Sequence, residues 1–320
     1  MTTLTPAEAA GFLLSHDNYT ILTHRRPDGD TVGCAAALCL ALRGLGKSAS
    51  VLNNPQNTER YAPFLQGLLT EEPRGCIVSV DVSSPVQLPM NYSSDVELCI
   101  DHHGSNKGFA ARTCLEAEAG ACAELIYKVL LELGAALTPE IATALYVGVS
   151  TDTGCFRFGN TTPQTLRTAA CLIEAGADYK TINRNIFEIK SRGRFGLEGY
   201  LTANMELYAA GKICVCMLPQ TVIDSLGANE DDADSIAGFT RTLEGVEIGA
   251  LIRDLPGGQS KVSLRTDSRF WDASQICGLL GGGGHAAASG ATLSCSMEEF
   301  RERLLEAIRT VTGLNTEKKS

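Results

Sequence analysis

The first half of the chain alternates short apolar segments with longer segments whose apolar residues recur at helical spacing. This pattern predicts strands at 19–23, 48–52, 76–80 and 96–100. It predicts helices between and after them, at 31–45, 119–133, 139–151 and 163–175. Short continuous apolar strands that alternate with helices are typical of a parallel sheet covered on both faces. We therefore predict an α/β domain built on a doubly wound, mainly parallel sheet.

In the second half of the chain, apolar and polar residues alternate at strand spacing. Strands are predicted at 212–218, 246–254 and 261–266, with a hairpin turn at 256–258 between the last two. A helical connector is predicted at 179–201, and an amphipathic helix at 297–311 closes the pattern. These elements indicate a second, smaller α/β domain. The predicted organisation is a first domain at 1–187, a helical linker at 188–210, a second domain at 211–314 and a disordered tail at 315–320.

Polar residues follow the predicted strands and one helix in four clusters. The clusters are His24-Arg-Arg-Pro-Asp-Gly-Asp30, Asp81, Asp101-His102-His103 and Thr151-Asp152-Thr153. Three of the five histidines of the chain lie in them. Because ligands bind beyond the carboxyl ends of parallel strands, we expect the clusters to converge there. Carboxylates and imidazoles with open positions suit Mn²⁺ or Mg²⁺ and a phosphate ester.

Single members of these clusters also have ordinary structural interpretations. Asp30 alone could be an N-cap at a strand–helix turn, and Asp152 alone could be a polar residue at the end of a helix. However, a tight turn at Pro27–Gly29 would let Asp28 and Asp30 face one site, next to the N-terminal amides of the following helix. All four clusters together favour a metal centre over independent structural roles.

The histidines outside the first cluster suggest different roles. Because the side chains of adjacent residues project in different directions, one of His102 and His103 suits a metal and the other a phosphate contact or a proton donor. His285 follows the glycine run 281–284. This segment could be a flexible loop with a structural histidine, or a phosphate-binding loop in which backbone amides approach an anion closely.

Composition narrows the class of ligand and the compartment. The net charge is −10, from 27 Lys and Arg against 37 Asp and Glu. This balance weighs against long duplex nucleic acid, which requires an extended basic surface, and favours a small phosphorylated ligand. The twelve cysteines lie mostly in apolar segments without a Cys-x-x-Cys motif, which indicates buried thiols in a reducing compartment. No segment resembles a membrane span or a secretory signal, so we expect a cytoplasmic protein.

Taken together, these motifs resemble the DHH phosphoesterase superfamily. The residues His24 to Asp30, Asp81, Asp101-His102-His103 and Asp152 stand in the order of that superfamily. Gly282-Gly283-Gly284-His285, followed by Ala287-Ala288-Ser289-Gly290, is similar to the glycine-rich motif of the DHH-associated domain, with Ser289 in place of an expected alanine. The two-domain layout resembles the nanoRNase and 3′-phosphoadenosine-5′-phosphate phosphatase subfamily. The first domain would then be catalytic, and the second would bind substrate.

The resemblance implies roles for individual residues. One Mn²⁺ would be held by His24, Asp28 and Asp81, and a second by Asp30, Asp81, His102 and Asp152, with Asp81 bridging and Mg²⁺ or Co²⁺ as alternative ions. A hydroxide between the metals would be the nucleophile. His103 would contact the scissile phosphate and protonate the leaving oxygen. The substrate-binding set implied for the second domain is Gly282, Gly283, Gly284, His285 and Arg265.

The resemblance leaves several functions open. The first is hydrolysis of short single-stranded oligoribonucleotides, dinucleotides and 3′-phosphoadenosine 5′-phosphate. The second is hydrolysis of cyclic dinucleotides such as c-di-AMP or of their linear products. A family-II pyrophosphatase would lack the glycine-rich motif, and a long-strand exonuclease would need a basic groove. A nucleotide sensor that retains the fold is the non-enzymatic alternative, and a homodimer is left open.

Overall fold

The computed structural model describes residues 2–318 of the chain. The chain forms two compact units, Met1–Ile189 and Lys190–Ser320. The first unit has a hydrophobic core around the helix that follows the second strand, and the second unit has two clusters of buried apolar residues of its own. Each unit therefore has a hydrophobic core of its own.

A parallel sheet is the centre of the first unit. Within the described residues its strands are β1 (Thr2–Leu4), β2 (Tyr19–Leu22), β3 (Ala49–Leu52), β4 (Leu69–Thr70), β5 (Cys76–Val80), β6 (Leu98–Asp101) and β7 (Arg112–Leu115). They lie in the order β1-β7-β6-β5-β2-β3-β4. Every neighbouring pair is parallel. The predicted α/β class with a parallel sheet is thus confirmed.

Helices cover this sheet. They are α1 (Pro6–Ser15), α2 (Gly29–Gly44), α3 (Cys122–Glu132), α4 (Pro139–Asp152), α5 (Pro163–Glu174) and α6 (Tyr179–Ile182), with 3₁₀ turns at Ala62–Leu65 and Pro85–Gln87. Helix α2 begins at Gly29, two residues before the predicted start, because Asp28 accepts hydrogen bonds from the amides of Asp30 and Thr31. The sequence pattern did not predict β1, β4 and β7, since these strands are short and two of them lie at the edges of the sheet.

Close packing of α2 against α4 positions the polar residues at their ends. A Cβ atom on Gly33 of α2 would lie 2.3 Å from the carbonyl oxygen of Ala144 on α4. A Cβ on Gly148 of α4 would lie 2.6 Å from Oδ1 of Asp30 on α2. Only glycine allows this approach, which brings the N-terminal end of α2 next to the C-terminal end of α4.

The second unit contains a mixed sheet. Its described strands are β8 (Glu206–Tyr208), β9 (Ile213–Leu218), β10 (Ile248–Leu255), β11 (Gln259–Thr266), β12 (Gly283–Gly284) and β13 (Ala288–Leu293). They lie in the order β12-β13-β11-β10-β9-β8, with β9 and β10 parallel and the other pairs antiparallel. The predicted hairpin joins β10 to β11, and Gly257 and Gly258 both have positive φ in its turn.

The helices of this unit complete its two cores. They are α7 (Arg192–Asn204), α8 (Gln220–Ser225), α9 (Glu230–Ser235), α10 (Ala273–Gly278) and α11 (Met297–Thr312), with 3₁₀ turns at Ala209–Gly211 and Ile236–Arg241. Helix α11, predicted at 297–311, begins after its N-cap Ser296. Helix α9 begins after Asn229, whose side chain accepts a hydrogen bond from the amide of Asp232.

The predicted continuous helix at 179–201 is wrong. Helix α6 passes into a π-helical turn at Asn183–Glu188, and the backbone at Ile189 is extended. A new helix, α7, then begins because the side chain of Ser191 accepts a hydrogen bond from the amide of Arg194. Leu197 and Leu201 of α7 pack in a core of the second unit.

The C-terminal segment is paired with the second sheet at one position. The predicted disordered tail at 315–320 includes Lys318, which forms an isolated β-bridge with Tyr208, while 319–320 lie outside the described residues. No helix within residues 2–318 is long and apolar enough to cross a bilayer.

Candidate metal centre

The polar clusters meet at the carboxyl edge of the parallel sheet. Strands β6, β5 and β2 are neighbours in that order. His24 lies two residues beyond β2, Asp81 directly follows β5, and Asp101 is the last residue of β6. Asp152 is the last residue of α4, which packs on α2. The sheet order and this helix contact therefore bring together residues that are far apart in the sequence.

Three overlapping groups of side chains could each hold a cation. In each group the ligand atoms lie within 4.8 Å of one another: Asp81 with His102 and His103, His24 with Asp28 and Asp81, and Asp30 with His102 and Asp152. The six predicted metal ligands are thus all placed at one centre. The structure also places His103 beside them, and Asp81 belongs to two of the three groups.

Asp81 lies between the histidines. Its Oδ2 is 3.7 Å from Nε2 of His24, and its Oδ1 is 3.5 Å from Nε2 of His102. The residue is 3% exposed, and Oδ1 has no hydrogen-bond partner among the described residues. A buried carboxylate oxygen without a donor is costly unless a cation binds it. The buried, unbonded Oδ1 of Asp81 therefore indicates that these side chains fit divalent metals.

The backbone of Asp81 is also unusual. Its φ is 60°, in the left-handed region that few residues other than glycine adopt. Asp and Asn tolerate this region better than other residues do, and such strain persists where the surrounding structure imposes it, often at functional sites. The turn aims the carboxylate across the sheet edge instead of continuing the strand.

Burial and mutual repulsion shift the pKa values of the carboxyl groups. Burial, followed by the charges of Asp30 and Asp28, raises the pKa of Asp81 well above its usual range. Burial and the neighbouring charge of Asp30 raise the pKa of Asp152 to about 7. Burial likewise raises the pKa of Asp30. Bound cations would remove this penalty because they stabilise the ionised forms.

Asp28 and Asp30 have structural roles as well as positions in the metal centre. Asp28, and not Asp30, is the N-cap of α2. Asp30 accepts hydrogen bonds from the amides of Cys122 at 2.6 Å and Ala123 at 3.0 Å. These amides open α3, whose own N-cap residue supplies no side-chain bond. Asp30 therefore caps α3 and not α2, the helix that the sequence suggested. Its carboxylate also lies in the acidic centre.

The two adjacent histidines have different surroundings. Nδ1 of His102 lies 3.0 Å from the carbonyl oxygen of Ala119, to which it donates, so Nε2 is left as the acceptor that faces Asp81 and Asp152. Nδ1 of His103 instead lies 2.7 Å from Oδ1 of Asp101. This hydrogen bond raises the pKa of His103. His102 thus presents a ring nitrogen towards the carboxylates that could hold a cation, and His103 is a potential acid.

Asp101, a member of a predicted cluster, and Asn106, which no sequence pattern identified, together support His103. Asp101 is fully buried and accepts from His103 through Oδ1 and from Nδ2 of Asn106 through Oδ2, both at 2.7 Å. Burial opposes ionisation, but these two hydrogen bonds hold the pKa of Asp101 below its usual value. Because Asn106 lies in a loop without periodicity, only its spacing of five residues from Asp101 could have suggested this contact.

In the second unit, the predicted phosphate-binding residues lie around Ala288. Arg265 of β11 pairs with Ala288, and the amide of His285 donates to the carbonyl oxygen of Ala288 at 2.8 Å. Arg265 forms no ion pair within the described residues, and burial lowers its pKa. A half-buried guanidinium without a carboxylate is suited to an anionic ligand.

The glycines of this segment differ in their surroundings. A Cβ on Gly282 would lie 2.1 Å from the carbonyl oxygen of Gly290, and one on Gly284 would lie 2.6 Å from that of Ala288. Packing against β13 therefore requires both glycines, whatever else they do. A Cβ on Gly283 would meet nothing within 4 Å, so its backbone is accessible to a ligand.

Comparisons with known proteins agree with this geometry. The family model described as "DHH family, N-terminal domain" matches residues 18–149, and the DHHA1 domain matches residues 211–313. A Thermus thermophilus protein named "Bifunctional oligoribonuclease and PAP phosphatase NrnA" is 33% identical over 294 residues, which cover 90% of this chain and 88% of that protein. A Bacillus subtilis protein of the same name is 26% identical over 302 residues, with 91% and 94% covered.

A solved structure shows the same fold. The crystal structure of an exopolyphosphatase-related protein from Bacteroides fragilis matches with a TM-score of 0.86 and 22% identity, over 96% of each chain. The family matches and the relatives identify the chain as a hydrolytic enzyme of the phosphoesterase class. The aspartates and histidines at the carboxyl edge of its parallel sheet agree with that class. More particularly, the chain belongs to the DHH family.

Proposed function

We propose that the protein is a manganese-dependent phosphodiesterase and phosphatase that hydrolyses short oligoribonucleotides and 3′-phosphoadenosine 5′-phosphate. The observation that carries the proposal is the buried, unbonded Oδ1 of Asp81, which lies between ligand groups on either side. The names of the T. thermophilus and B. subtilis relatives support the choice of substrates. We infer that 1–187 is the catalytic domain, that 211–314 is the substrate-binding domain, and that 188–210 links them.

In this proposal, six side chains bind the metals and one side chain acts as a general acid. His24, Asp28 and Asp81 would hold one Mn²⁺, and Asp30, Asp81, His102 and Asp152 the other. When bound there, divalent metals would activate a water as the nucleophile and offset the charge that develops on phosphorus. His103, oriented by Asp101, carries a proton on the nitrogen opposite its bonded Nδ1 and donates it to the leaving oxygen.

The second unit would hold the far end of the substrate. Arg265 and His285, with the accessible backbone at Gly283 between Gly282 and Gly284, suit the distal phosphate of a dinucleotide or a nucleoside bisphosphate. A fixed anchor of this kind favours substrates of a few nucleotides. This preference for short substrates also agrees with the net charge of −10, which weighs against an extended basic surface for a long strand.

The decisive experiment pairs a substrate panel with one conservative variant. With Mn²⁺ present, we expect turnover of a linear diribonucleotide and of 3′-phosphoadenosine 5′-phosphate to exceed that of c-di-AMP. Asp81→Asn keeps the size and the tolerance of positive φ but loses the charge. It should lower occupancy at both metal positions, measured by elemental analysis, and reduce kcat by at least about 10³-fold.

Two results would contradict the proposal. Near-normal activity of Asp81→Asn would exclude the bridging role. No turnover of any nucleotide by the wild-type protein with Mn²⁺, Mg²⁺ or Co²⁺ would favour the nucleotide-sensor alternative. The matched control is Asp95→Asn, which removes one carboxylate at an exposed position of the same unit and should leave turnover unchanged.

A further inference from the structure

A small cleft lies beside the metal centre and is not explained by the metal ligands. It has a volume of about 320 Å³ and is lined by His24, Arg25, Arg26, Val86 and Gln87. These residues come from two segments, the loop after β2 and the 3₁₀ turn that follows Asp81. The amide of Arg25 donates to the carbonyl oxygen of Gln87 at 2.5 Å, which joins the two segments. The cleft is therefore a built feature of the first unit.

Its two arginines are exposed and unpaired. Neither Arg25 nor Arg26 forms an ion pair anywhere in residues 2–318, although acidic residues outnumber basic ones by 37 to 27. Asp28 lies only two positions after Arg26, but it pairs with His24 and with the amides that open α2. Two guanidinium groups without carboxylates at the edge of a metal centre are placed for an anion that reaches the same centre.

The opposite wall offers an amide and an apolar surface. Oε1 of Gln87 accepts from the amide and the hydroxyl of Ser83, at 3.0 and 2.7 Å. These bonds fix the side chain and leave its Nε2 without a hydrogen bond in the described part of the chain. Val86 is 75% exposed. An apolar side chain beside guanidinium planes and a free amide donor suits a nucleobase joined to a phosphate.

We propose that this cleft is a nucleotide subsite of the catalytic unit, which binds the nucleotide adjacent to the scissile phosphate. Arg25 and Arg26 would bind its phosphate oxygens, and its base would lie against Val86 and Gln87. The inference rests on the proposed function for the identity of the substrate. It adds a determinant of specificity that belongs to the first unit alone and is separate from the distal anchor at Arg265 and His285.

Binding and turnover test the subsite separately. The variants are Arg25→Ala/Arg26→Ala, Arg26→Lys and Val86→Ala, and the matched control is Arg167→Ala, an exposed arginine on α5 that also lacks an ion pair within the described residues. Binding of adenosine 5′-monophosphate is measured by titration calorimetry. Turnover is measured with a linear diribonucleotide and with bis-p-nitrophenyl phosphate, and unchanged thermal melting confirms folding.

The double variant should weaken adenosine 5′-monophosphate binding and raise KM for the diribonucleotide by about 10- to 100-fold, as expected for lost charge-assisted hydrogen bonds. Arg26→Lys should fall between the wild type and the double variant, because lysine keeps the charge and loses the planar fork. Val86→Ala should raise KM by about threefold. The loss on the diribonucleotide should exceed the loss on bis-p-nitrophenyl phosphate by at least about tenfold.

The subsite is overturned if the double variant binds adenosine 5′-monophosphate like Arg167→Ala, whatever its activity. Equal losses on both esters would also overturn it, since the arginines would then support the metal centre. These outcomes are distinct from failure of the proposed function, in which the wild-type protein would hydrolyse no nucleotide. In that case the calorimetric comparison still decides whether the cleft binds one.

Discussion

The two adjacent histidines show how the same residue type acquires two chemical roles. Both lie beyond β6, but His102 donates to the carbonyl oxygen of Ala119, whereas His103 is hydrogen-bonded to the buried Asp101. The first bond leaves a nitrogen lone pair for a cation, and the second favours the protonated ring. Asn106 completes the second arrangement through its bond to Asp101.

Substitutions here should separate metal binding from proton transfer. His102→Ala should lose bound metal. His103→Ala should keep it and lose about 10² to 10⁴ in kcat on a dinucleotide, whose alkoxide leaving group needs a proton. Asn106→Ala should lower kcat in the same direction by a smaller factor, because it loosens Asp101. The measurements are metal content and single-turnover rates.

The leaving group provides the internal control. Loss of an acid should matter much less for bis-p-nitrophenyl phosphate, since p-nitrophenolate leaves without a proton. If His103→Ala and Asn106→Ala slowed both esters equally, or if they lost metal like His102→Ala, the positioning of His103 by Asp101 and Asn106 would be rejected.

At the scale of the residue, the sequence predicted the candidate ligands but not their supports. Asp and His at strand ends are visible as a pattern, because strand and helix periodicities place each cluster at the end of an element. The hydrogen bonds of Asp101 and Asn106, and the cleft at Arg25 and Val86, depend on loop conformations that have no periodicity. The sequence pattern therefore predicts the ligand side chains, whereas the residues that orient them become visible only in the folded structure.

The contact between α2 and α4 links helix packing to the geometry of the metal centre. Gly148 of α4 lies against Asp30 and Ala123, and a Cβ there would lie 2.6 Å from Oδ1 of Asp30 and from the Cβ of Ala123. Both neighbours are fully or almost fully buried, so neither can move away without cost. Displacing Asp30 would also disturb the bonds that it accepts from the amides of α3.

Gly148→Ala should therefore destabilise the fold by about 1–3 kcal/mol through overpacking and weaken metal binding by about tenfold or more. The measurements are denaturant unfolding and metal titration. Gly11→Ala is the control, since a Cβ at Gly11 in α1 meets nothing within 4 Å, and should stabilise by up to about 1 kcal/mol. A Gly148→Ala protein with normal stability and metal affinity would show that Asp30 is not held by this contact.

The elements themselves were largely predictable from the sequence, and the exceptions have physical causes. Long periodic helices such as α4 and α5 were located within a residue or two, since their caps and apolar spacing are local signals. The short strands β1 and β4 were not, because pairing with a neighbouring strand defines them. The break at 189–191 was also missed, since three non-helical residues span about one helical turn and leave the apolar spacing on both sides nearly in phase.

For the whole molecule, the buried carboxyls make stability depend on pH and on cations. Without cations, Asp81 and Asp152 bind protons more tightly in the folded chain than in the unfolded chain, because their folded pKa values are raised. Their contribution to the free energy of unfolding is therefore fully present below about pH 4, the pKa of an aspartate in the unfolded chain. It is lost as the pH rises towards 7 and above. Asp28 and Asp101 have lowered pKa values, so their contribution to stability is present above the unfolded pKa and is lost as the pH falls.

Asp152→Asn isolates one of these contributions. In chelator, the variant should be more stable than the wild type at pH 8 by about 1–3 kcal/mol, and the difference should shrink as the pH falls to 5. Excess divalent cation should reverse the order at pH 8, because the wild-type protein binds it more tightly. Thermal melting across this pH range checks the sign. A wild-type protein that is the more stable of the two in chelator at pH 8 would contradict it.

The bond between Asp30 and the start of α3 has a consequence for how the protein folds. The acceptor and its donors at Cys122 and Ala123 are 92 and 93 positions apart in the chain. Contacts of such sequence separation form late, since a long loop must close before they add stability. Helix α3 can therefore gain this cap only after the β2–α2 segment has docked. Placement of Asp30 in the acidic centre and consolidation of α3 are therefore coupled steps of folding.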